Sequence, residues 1–287
     1  MSSNQALQRV RHLFRAEKAG HTGSLDPLAT GLLPVCFGEA TKLAGYLLGS
    51  GKSYQTTARL GTTTDTDDAD GKPLRTRPVP VIGRAQVSAA LQPLVGRISQ
   101  RPPIYSALKQ GGEPLYAKAR RGETIHVPER EVDVLSIELL EFSQLELSLR
   151  ISCGSGTYVR SIVRDLGEAL GCGAHVSSLR RLWVDPFREP RMHTLGTLQA
   201  LGELHGESAL DAVLLPLEAA LADWPKVQLD DKQALALGRG QIVQLDQGPG
   251  LRAVWVVDAS GRSLGLAELG ADGVLRARRL FRWAAQG

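Results

Sequence analysis

Residues 21–34 read His-Thr-Gly-Ser-Leu-Asp-Pro-Leu-Ala-Thr-Gly-Leu-Leu-Pro. Two glycines and two prolines in so short a segment predict a loop, because both residue types interrupt helices and long strands. The loop is nevertheless apolar, and its hydrophobic side chains are Leu25, Leu28, Ala29, Leu32 and Leu33. We therefore expect it to pack against the body of the protein and not to lie free on the surface.

Asp26 is the only carboxylate in this loop, and Pro27 behind it favours an extended backbone at that position. A carboxylate among leucines costs free energy unless it is paired or hydrogen-bonded. Loops held by a rigid frame often carry catalytic groups, which makes Asp26 a candidate catalytic residue. The alternative interpretation, that Asp26 only caps a turn through an Asx motif, fits these residues equally well.

The composition favours a globular protein with an acidic partner. The 287 residues suffice for two domains or for one large domain with an appendage, and a net charge of +4 favours a partner such as nucleic acid. The cysteines, Cys36, Cys153 and Cys172, are odd in number and form no C-x-x-C pair, which argues against disulfides or zinc. The histidines lack metal-ligand spacing, and neither a membrane-length apolar run nor a signal peptide is present. We expect no metal, no membrane contact and a cytoplasmic location.

Periodicity predicts the first elements of the chain. Residues 2–17 carry an apolar stripe with arginines around it, which predicts a helix. Residues 52–61 alternate and carry Thr and Tyr, which predicts a strand. Residues 64–71 contain several aspartates, but these do not fall in the register of an EF-hand calcium loop. A solvated turn is therefore predicted for residues 64–71.

Residues 109–131 mix basic and aromatic side chains, a pattern that suits RNA because bases stack on rings. The residues concerned are Lys109, Lys118, Arg120, Arg121 and Arg130, with Tyr116 among them and Tyr105 just before. An ordinary exposed loop is the alternative that the sequence leaves open. The segment is predicted to be irregular, and two strands are predicted after it, over residues 132–139 and 145–152.

A helix over residues 157–170 contains an arginine that lacks a local partner. Arg164 has Glu168 four residues later as an expected partner, whereas the corresponding neighbour of Arg160 is Arg164, of like charge. Arg160 also lies near the positive N-terminal end of the helix, where a cation is disfavoured. We therefore expect an anionic group from elsewhere in the chain to pair with Arg160. The glycines of residues 171–173 are expected to end this helix in a left-handed cap.

The last part of the chain changes character at about Trp224-Pro225. Residues 192–223 are predicted to be helical, whereas the glycine-separated alternating runs of residues 224–287 predict a small all-β module. Its end is rich in arginine. The fold class predicted from the pattern is α+β with an appended barrel.

Five separated motifs resemble the tRNA pseudouridine synthase B family, also called TruB, and they occur in the family's order along nearly the whole chain. They are residues 21–31; Lys52-x-Tyr54 with Ala58-Arg59-Leu60-Gly61 and Thr64-Asp65-Thr66; Pro102-Pro103-x-Tyr105-Ser106-Ala107; Gly156-Thr157-Tyr158-Val159-Arg160; and Gly173-Ala174-His175-Val176 with Leu179-Arg180-Arg181. The resemblance implies a pseudouridine synthase fold, a mixed and mainly antiparallel sheet with flanking helices, over residues 1–223. It implies a PUA-like β-barrel over 224–287 and a mobile RNA-contacting loop at 109–131.

The resemblance also implies an activity, the isomerisation of the T-loop uridine at position 55 of tRNA to pseudouridine. The N1–C1′ bond breaks, the uracil turns and C5 rejoins C1′, with no cofactor. Asp26 matches the family's nucleophile, although attack at C1′, attack at C6 and a glycal route all stay open. Arg160 matches the arginine that pairs with that aspartate, and it is expected to lower the pKa of Asp26. Tyr54 matches a tyrosine that stacks on the base and shuttles a proton.

Further residues are implied to bind the substrate tRNA. His21 matches a residue that fills the space left by the flipped nucleotides, with a loop-end hydrogen bond as its alternative role. Leu179 matches an apolar residue of the pocket. Lys52 and Tyr158 belong to the matching motifs, and Arg180 with Arg181, like the basic N-terminal helix and the terminal arginines, is expected to contact phosphates. The partner implied is the T-arm of tRNA, and the protein is expected to be a monomer.

One departure and two alternatives accompany this resemblance. The family begins with a strand that carries a Lys-Pro-x-Gly motif, upstream of the position where this sequence starts, and this sequence lacks it. Three explanations are open: the start site was assigned too late, the chain was trimmed, or this member of the family lacks the strand. A non-catalytic RNA-binding or tRNA-folding protein on the same scaffold is the alternative function. A glycosidase is disfavoured, because Asp26 shows no obvious second carboxylate to act as its acid.

Overall fold

The computed structural model describes residues 1–49, 51–245 and 253–285, so Gly248 and Gly250, expected to separate β runs, lie outside the described residues. The chain divides into two compact units. Unit 1 comprises Met1–Ser3, Gly23–Pro34 and Leu48–Met192, and unit 2 comprises Asn4–Thr22, Val35–Leu47 and His193–Gly287. The domain boundary at residues 223 and 224 stays a prediction.

The strands in the described residues, in chain order, are β1 (Ala19–His21), β2 (Thr30–Gly31), β3 (Val35–Phe37), β4 (Lys52–Leu60), β5 (Thr62–Thr64), β6 (Pro73–Thr76), β7 (Gly96–Gln100), β8 (Lys109–Gln110), β9 (Glu113–Pro114), β10 (Arg130–Phe142), β11 (Glu146–Cys153), β12 (Ala174–Val184), β13 (Lys226–Gln228), β14 (Val243–Gln244), β15 (Val254–Val257), β16 (Ser263–Leu269) and β17 (Val274–Leu280). The α-helices are α1 (Ser3–Leu13), α2 (Ala44–Leu47), α3 (Arg84–Leu91), α4 (Leu115–Arg120), α5 (Val159–Ala169), α6 (Leu195–His205), α7 (Glu207–Asp211) and α8 (Asp231–Gly238). Short 3₁₀ turns cover Gly38–Lys42, Gln92–Leu94, Leu217–Leu221 and Arg282–Ala285.

Unit 1 is built on a six-stranded sheet with the order β2-β12-β4-β11-β10-β7 in the part of the chain that the structure describes. Its pairs are antiparallel except for the short parallel pair of β2 with β12. The predicted strands over 52–61, 132–139 and 145–152 are confirmed as β4, β10 and β11, and the mixed, mainly antiparallel α+β class is confirmed as well.

The core of unit 1 lies between this sheet and α5. Ile162, Val163 and Leu166 on the apolar stripe of α5 are fully buried in it. Leu28 and Ala29 from the apolar loop pack against the same core, which confirms that the loop is held against the body of the protein. Helix α5 ends as predicted, because Gly171 and Gly173 have φ values of 81° and 75°, which residues other than glycine rarely adopt.

Two predictions about local structure are wrong. The segment over 109–131 is not irregular throughout, because it forms the β8–β9 hairpin and helix α4. The C-terminal module is not all-β, because helix α8 lies within its run of strands. The side chain of Asp230 caps α8 by accepting from the main-chain N–H of Gln233 at 2.8 Å, an N-terminal signal that the sequence does contain.

Unit 2 contains a five-stranded sheet with the order β13-β15-β16-β17-β14 in the described residues, which do not include 246–252. Leu237 of α8 is fully buried in the core of this sheet, together with Val254 and Leu275. The predicted N-terminal helix is confirmed as α1, although it ends at Leu13. None of the helices that the structure describes has both the length and the apolar character needed to cross a bilayer.

Candidate active site

Asp26 lies in a loop that the rest of unit 1 holds at both ends. The hydroxyl of Ser3 accepts a hydrogen bond from the N–H of Leu25 at 2.8 Å. The main-chain carbonyl of Asp26 accepts from the N–H of Ala29 at 2.9 Å and so closes a turn. The turn is therefore made by main-chain groups, and the carboxylate of Asp26 is turned towards another part of the chain.

That carboxylate is paired with Arg160, the second residue of α5. Asp26 Oδ1 lies 2.8 Å from Arg160 Nη2, across 134 positions of sequence. The arginine side chain is 3% exposed and that of Asp26 is 31% exposed. The structure therefore supplies the anionic partner expected for Arg160, and it leaves Asp26 open to solvent on one side.

Main-chain carbonyls fix the guanidinium of Arg160 in this position. Arg160 Nη1 donates to the carbonyl of Thr66 at 2.8 Å, and Nη2 donates to the carbonyl of Tyr105 at 3.1 Å. Asp68 Oδ2 lies 3.5 Å from Nη1, and its side chain is 4% exposed. A planar guanidinium serves several acceptors at fixed angles, which an ammonium group cannot do.

The acidic turn at residues 64–71 is solvated only in part, because Ala69 and Asp70 are exposed whereas Asp68 is buried, so the prediction is wrong for Asp68. Its main chain pairs with β12, because the N–H of Ala69 donates to the carbonyl of Val176 at 2.8 Å. Asp68 is buried beside Arg160, and Asp67 Oδ2 lies 3.1 Å from Arg164 Nη1. The turn thus supplies carboxylates to two arginines on one face of α5.

The expected local pair of Arg164 with Glu168 is also wrong. Arg164 is bound by Asp67 and by Asp165, whose Oδ1 lies 2.9 Å from Arg164 Nε. Glu168 instead pairs with Arg75 at 2.8 Å and with Arg77 at 2.6 Å. Asp67 from another element and the adjacent Asp165 take the place of the helix-surface pair with Glu168, which would be worth only about 0.2–0.5 kcal/mol.

Burial raises the pKa of Asp26 above its ordinary value of 3.8. The guanidinium of Arg160 lowers this pKa by charge and by hydrogen bonding, but desolvation has the larger effect, and the neighbouring Asp68 and Asp70 raise it further. The expected lowering by Arg160 is present, but it does not set the net direction, because the expectation neglected burial and two nearby negative charges. Since the protonated acid is favoured in the folded state, Asp26 contributes most to stability below pH 3.8, and this contribution is lost as pH rises through its raised pKa.

We expect Asp68→Asn to lower the pKa of the Asp26 carboxyl, and so to move to lower pH the acidic limb of any rate profile that depends on the ionised carboxylate. Removing a negative charge beside Asp26 lowers the pKa of that carboxyl, so it stays ionised in more acidic solution. Asp70→Asn is the graded control, because Asp70 has the smaller effect and should move the limb less in the same direction. A limb that stays in place or moves to higher pH in Asp68→Asn would contradict this electrostatic account.

Tyr54 lies on β4, and burial and the charge of Asp26 both contribute to raising the pKa of its phenol. Burial raises the pKa of the Tyr54 phenol to about 12, and Arg181 opposes this shift. The phenol is therefore neutral at physiological pH. Leu179, on the neighbouring strand β12, is 6% exposed and belongs to the core against which Tyr54 packs.

The structure places the remaining predicted substrate residues in different surroundings. Lys52 is buried and its Nζ donates to the carbonyl of Leu48 at 3.1 Å, while burial and Arg181 lower its pKa. Arg180 is exposed, with Nη1 3.5 Å from Thr30 Oγ1. The Tyr158 ring lies 5.5 Å from the guanidinium carbon of Arg130.

His21 belongs to unit 2, where it ends β1 opposite Val35. Asp26 and Arg160 meet directly, and the charge of Asp26 acts on Tyr54. The roles of His21, Lys52, Tyr158 and Arg180 stay predictions.

Sequence reasoning missed Asp68, and it assigned Arg181 a different role. The sequence did contain a signal for Asp68. The Thr64-Asp65-Thr66 motif lies just before it and is part of the family resemblance, although the side chains of that motif do not themselves pair with Arg160. Asp68 also supplies the second carboxylate that the glycosidase alternative lacked, but it is buried against Arg160 and so poorly placed to act as an acid. Arg181 was expected to contact phosphate, and that expectation is wrong because its side chain is 1% exposed.

This arrangement suits nucleophilic or proton-transfer chemistry that uses a carboxylate. Arg160 fixes the orientation of Asp26, one side of the carboxylate is accessible, and a neutral phenol lies nearby. Among the described residues, no group of three or more His, Cys, Asp or Glu side chains has the arrangement of a metal site.

Solved structures share the fold of this chain. A chain described as "Structure of H/ACA RNP bound to a substrate RNA containing 2'-deoxyuridine" superposes with a TM-score of 0.76 over 98% of this chain and 81% of its own length, at 23% identity. A chain from "Crystal Structure of a Cbf5-Nop10-Gar1 Complex" gives a TM-score of 0.73 over 100% of this chain and 78% of its own, at 24% identity. The class that these neighbours define is the pseudouridine synthase fold.

Sequence comparisons narrow the class to one family. Three family models match in succession: TruB family pseudouridylate synthase (N terminal domain) over residues 11–159, tRNA pseudouridylate synthase B C-terminal domain over 160–222, and Pseudouridine synthase II TruB, C-terminal, over 225–281. The chain belongs to the TruB family of tRNA pseudouridine synthases, and it is an isomerase that forms pseudouridine in tRNA.

Relatives named tRNA pseudouridine synthase B match nearly the whole chain. The protein of Xanthomonas axonopodis pv. citri (strain 306) is 59% identical over 282 residues, 98% of this chain and 90% of the relative. That of Xylella fastidiosa (strain Temecula1 / ATCC 700964) is 55% identical over 281 residues, 98% of this chain and 92% of the relative. That of Pseudomonas fluorescens (strain Pf0-1) is 48% identical with the same coverage.

Proposed function

We propose that this enzyme isomerises the T-loop uridine at position 55 of tRNA, with Asp26 as its nucleophile. The observation that carries the proposal is the pairing of Asp26 with the buried Arg160 at 2.8 Å, in a loop that bonds to Ser3 before Asp26 and packs on the core after it. A nucleophile must be held in one orientation while staying accessible, and a 31% exposed carboxylate on a buried guanidinium meets both requirements.

The reaction conserves atoms. The N1–C1′ bond breaks, the uracil turns, the C5–C1′ bond forms, the hydrogen of C5 leaves as a proton and N1 takes up a proton. Asp26 acts either by bonding transiently to C1′ or C6 or by removing the 2′ proton on a glycal route. Each route needs an ionised carboxylate, so the raised pKa of Asp26 limits the rate in acid.

Tyr54 is proposed to contact the target base as a neutral phenol. Because its pKa is raised to about 12, it is poorly suited to remove the C5 proton as a resting phenolate. It is suited to stack on the uracil and to relay a proton through its hydroxyl group. Leu179, in the same apolar cluster, is proposed to line the pocket of the extruded base.

The proposed partner is the T-arm of tRNA, and the enzyme is proposed to act on it as a cytoplasmic monomer. The exposed Arg180 supports phosphate contact, which makes the affinity for tRNA fall with added salt. His21, Lys52 and Tyr158 are proposed as further contacts to the flipped nucleotides and their flanks.

The position of the modified uridine is tested with an unmodified tRNA transcript and with a matched transcript that carries cytidine at position 55. After carbodiimide treatment, reverse transcription of the first transcript is expected to stop at the T-loop site, and the second is expected to show no stop. A stop elsewhere in the tRNA would overturn the assignment of position 55. Tight binding without any stop would favour the non-catalytic RNA-binding alternative, and release of free uracil would favour a glycosidase.

A further inference from the structure

Arg181 lies at the centre of the contacts that hold the loop carrying Asp26. Its side chain is fully buried in the described structure, and its guanidinium donates to main-chain carbonyls on both sides of Asp26. Nε lies 2.7 Å from the carbonyl oxygen of Leu32, and Nη2 lies 3.1 Å from that of Gly23. One side chain therefore bridges the two ends of the loop, which are nine positions apart.

The backbone of Arg181 strengthens this connection. Its carbonyl accepts from the N–H of Leu32 at 2.9 Å, and Arg181 pairs with Gly31 where β2 joins β12. Gly31 has a φ of 94°, and a Cβ atom there would lie 2.1 Å from the carbonyl oxygen of Arg181. The loop and the strand thus approach so closely that only glycine fits at this point.

Arg181 is also next to the second proposed catalytic side chain. In the register of the sheet, Arg181 on β12 is the direct partner of Tyr54 on β4. Within the described part of the chain, no carboxylate lies within salt-bridge distance of Arg181, so carbonyl dipoles stabilise its charge. A buried charge is costly without strong local compensation, which makes a purely space-filling role a poor explanation of this residue.

We propose that Arg181 is a positioning residue, which fixes the loop of Asp26 to the strand that lies beside Tyr54 and so sets the geometry between the two side chains. The inference rests on the proposed roles of Asp26 and Tyr54. It assigns Arg181 no contact with RNA, because the guanidinium is buried and its bonds run to protein carbonyls.

The test is Arg181→Lys, assayed by tritium release from tRNA labelled at C5 of its uridines. Lysine keeps the charge, but its ammonium cannot span two carbonyls with the fixed geometry of a guanidinium. A misplacement of about 1 Å costs on the order of 100-fold in rate, so we expect kcat to fall about 100-fold while KM for tRNA stays within about threefold. Arg150→Lys is the matched control, since Arg150 is an exposed arginine on β11 of the same sheet, two strands away from β12 and paired with Glu138, and it should keep both parameters.

A second variant separates positioning from a general loss of stability. Gly31→Ala leaves Arg181 intact but pushes the loop away from its carbonyl, so it should also lower kcat with little change in KM. In both variants, hydrogen exchange should speed up at the main-chain amides of residues 24–32 and stay slow in β11. Faster exchange over the whole of unit 1 would show that Arg181 only supports folding and would overturn the proposal.

Two further results would also overturn it. A folded Arg181→Lys protein with the wild-type kcat would exclude positioning, and a raised KM with unchanged kcat would mean that Arg181 binds RNA. Tritium release reports pseudouridine formation at any uridine. The Arg181 test can therefore be interpreted even if the enzyme modifies a uridine other than the one at position 55. If Asp26→Asn retained activity, the assignment of Asp26 as the nucleophile would be wrong, whatever the Arg181 measurements showed.

Discussion

Asp26→Asn is expected to abolish pseudouridine formation while tRNA binding stays within a few-fold of wild type. Asparagine has the shape of aspartate but is a poor nucleophile and a poor base, so the rate should fall by at least about 10⁴-fold. The fold should survive, because Asp68 lies 3.5 Å from Arg160 and still compensates its buried charge. Single-turnover tritium release measures the rate, and filter binding measures the affinity.

Asp133→Asn is the matched control for this substitution. Asp133 is an exposed aspartate on β10 of the same unit, so the same change of charge there should leave rate and affinity unaltered. Turnover by Asp26→Asn within tenfold of wild type would show that the nucleophile lies elsewhere. Loss of tRNA binding together with a lower melting temperature would make Asp26 a structural residue.

Arg160→Met is expected to damage both stability and activity. It leaves Asp68, whose side chain is 4% exposed, without its cation, and breaking a buried ion pair from one side costs about 3–5 kcal/mol. It also removes the charge and the hydrogen bond that lower the pKa of Asp26. That pKa should therefore rise further, and the acidic limb of the kcat/KM profile should move to higher pH. Chemical denaturation and the pH profile measure the two effects.

Arg160→Lys separates the charge of Arg160 from its geometry. Lysine should restore most of the lost stability and return the acidic limb towards its wild-type position, because it restores a positive charge near both aspartates. It should recover the rate only in part, since it cannot donate at once to Thr66, Tyr105 and Asp26 in the observed geometry. An Arg160→Met protein with wild-type stability and an unmoved limb would refute this account of the ion pair.

The central pair of the site was predictable because each member breaks a local rule. Asp26 is a carboxylate among leucines, and Arg160 is a cation near a helix N-terminus with a like-charged neighbour one turn on. Such anomalies demand compensation from outside the local sequence. The residues alone predict that each needs a partner from elsewhere in the chain, and the resemblance to the TruB family implied that the two pair with each other.

The partners around that pair were not predictable in the same way. Residues 64–71 have the composition of a solvated turn, and nothing local shows that their main chain pairs with β12 and buries Asp68. Arg164 has an acceptable partner at helical spacing and nonetheless binds Asp67. Tertiary contacts decide among several carboxylates that the sequence presents as equivalent.

The fold was predictable where periodicity was strong and uncertain where it was weak. The long alternating runs of β4, β10 and β11 and the amphipathic α5 were found from the pattern. The short helices α4 and α8 were missed, because the basic segment over 109–131 was predicted to be irregular throughout and the glycine-rich module over 224–287 to be all-β. The aspartate cap of α8 was a local signal that outweighed the surrounding β pattern.

Whether Asp26, fixed by Arg160, meets the target nucleotide is decided by a structure of the enzyme with a T-arm stem-loop that carries 5-fluorouridine at the target position. We expect a flipped nucleotide with its C1′ or C6 bonded to a carboxylate oxygen of Asp26 or within about 3.5 Å of it, and Arg160 still paired with that carboxylate. A target nucleotide bound elsewhere, with Asp26 covered by protein or turned away from the RNA, would contradict this expectation.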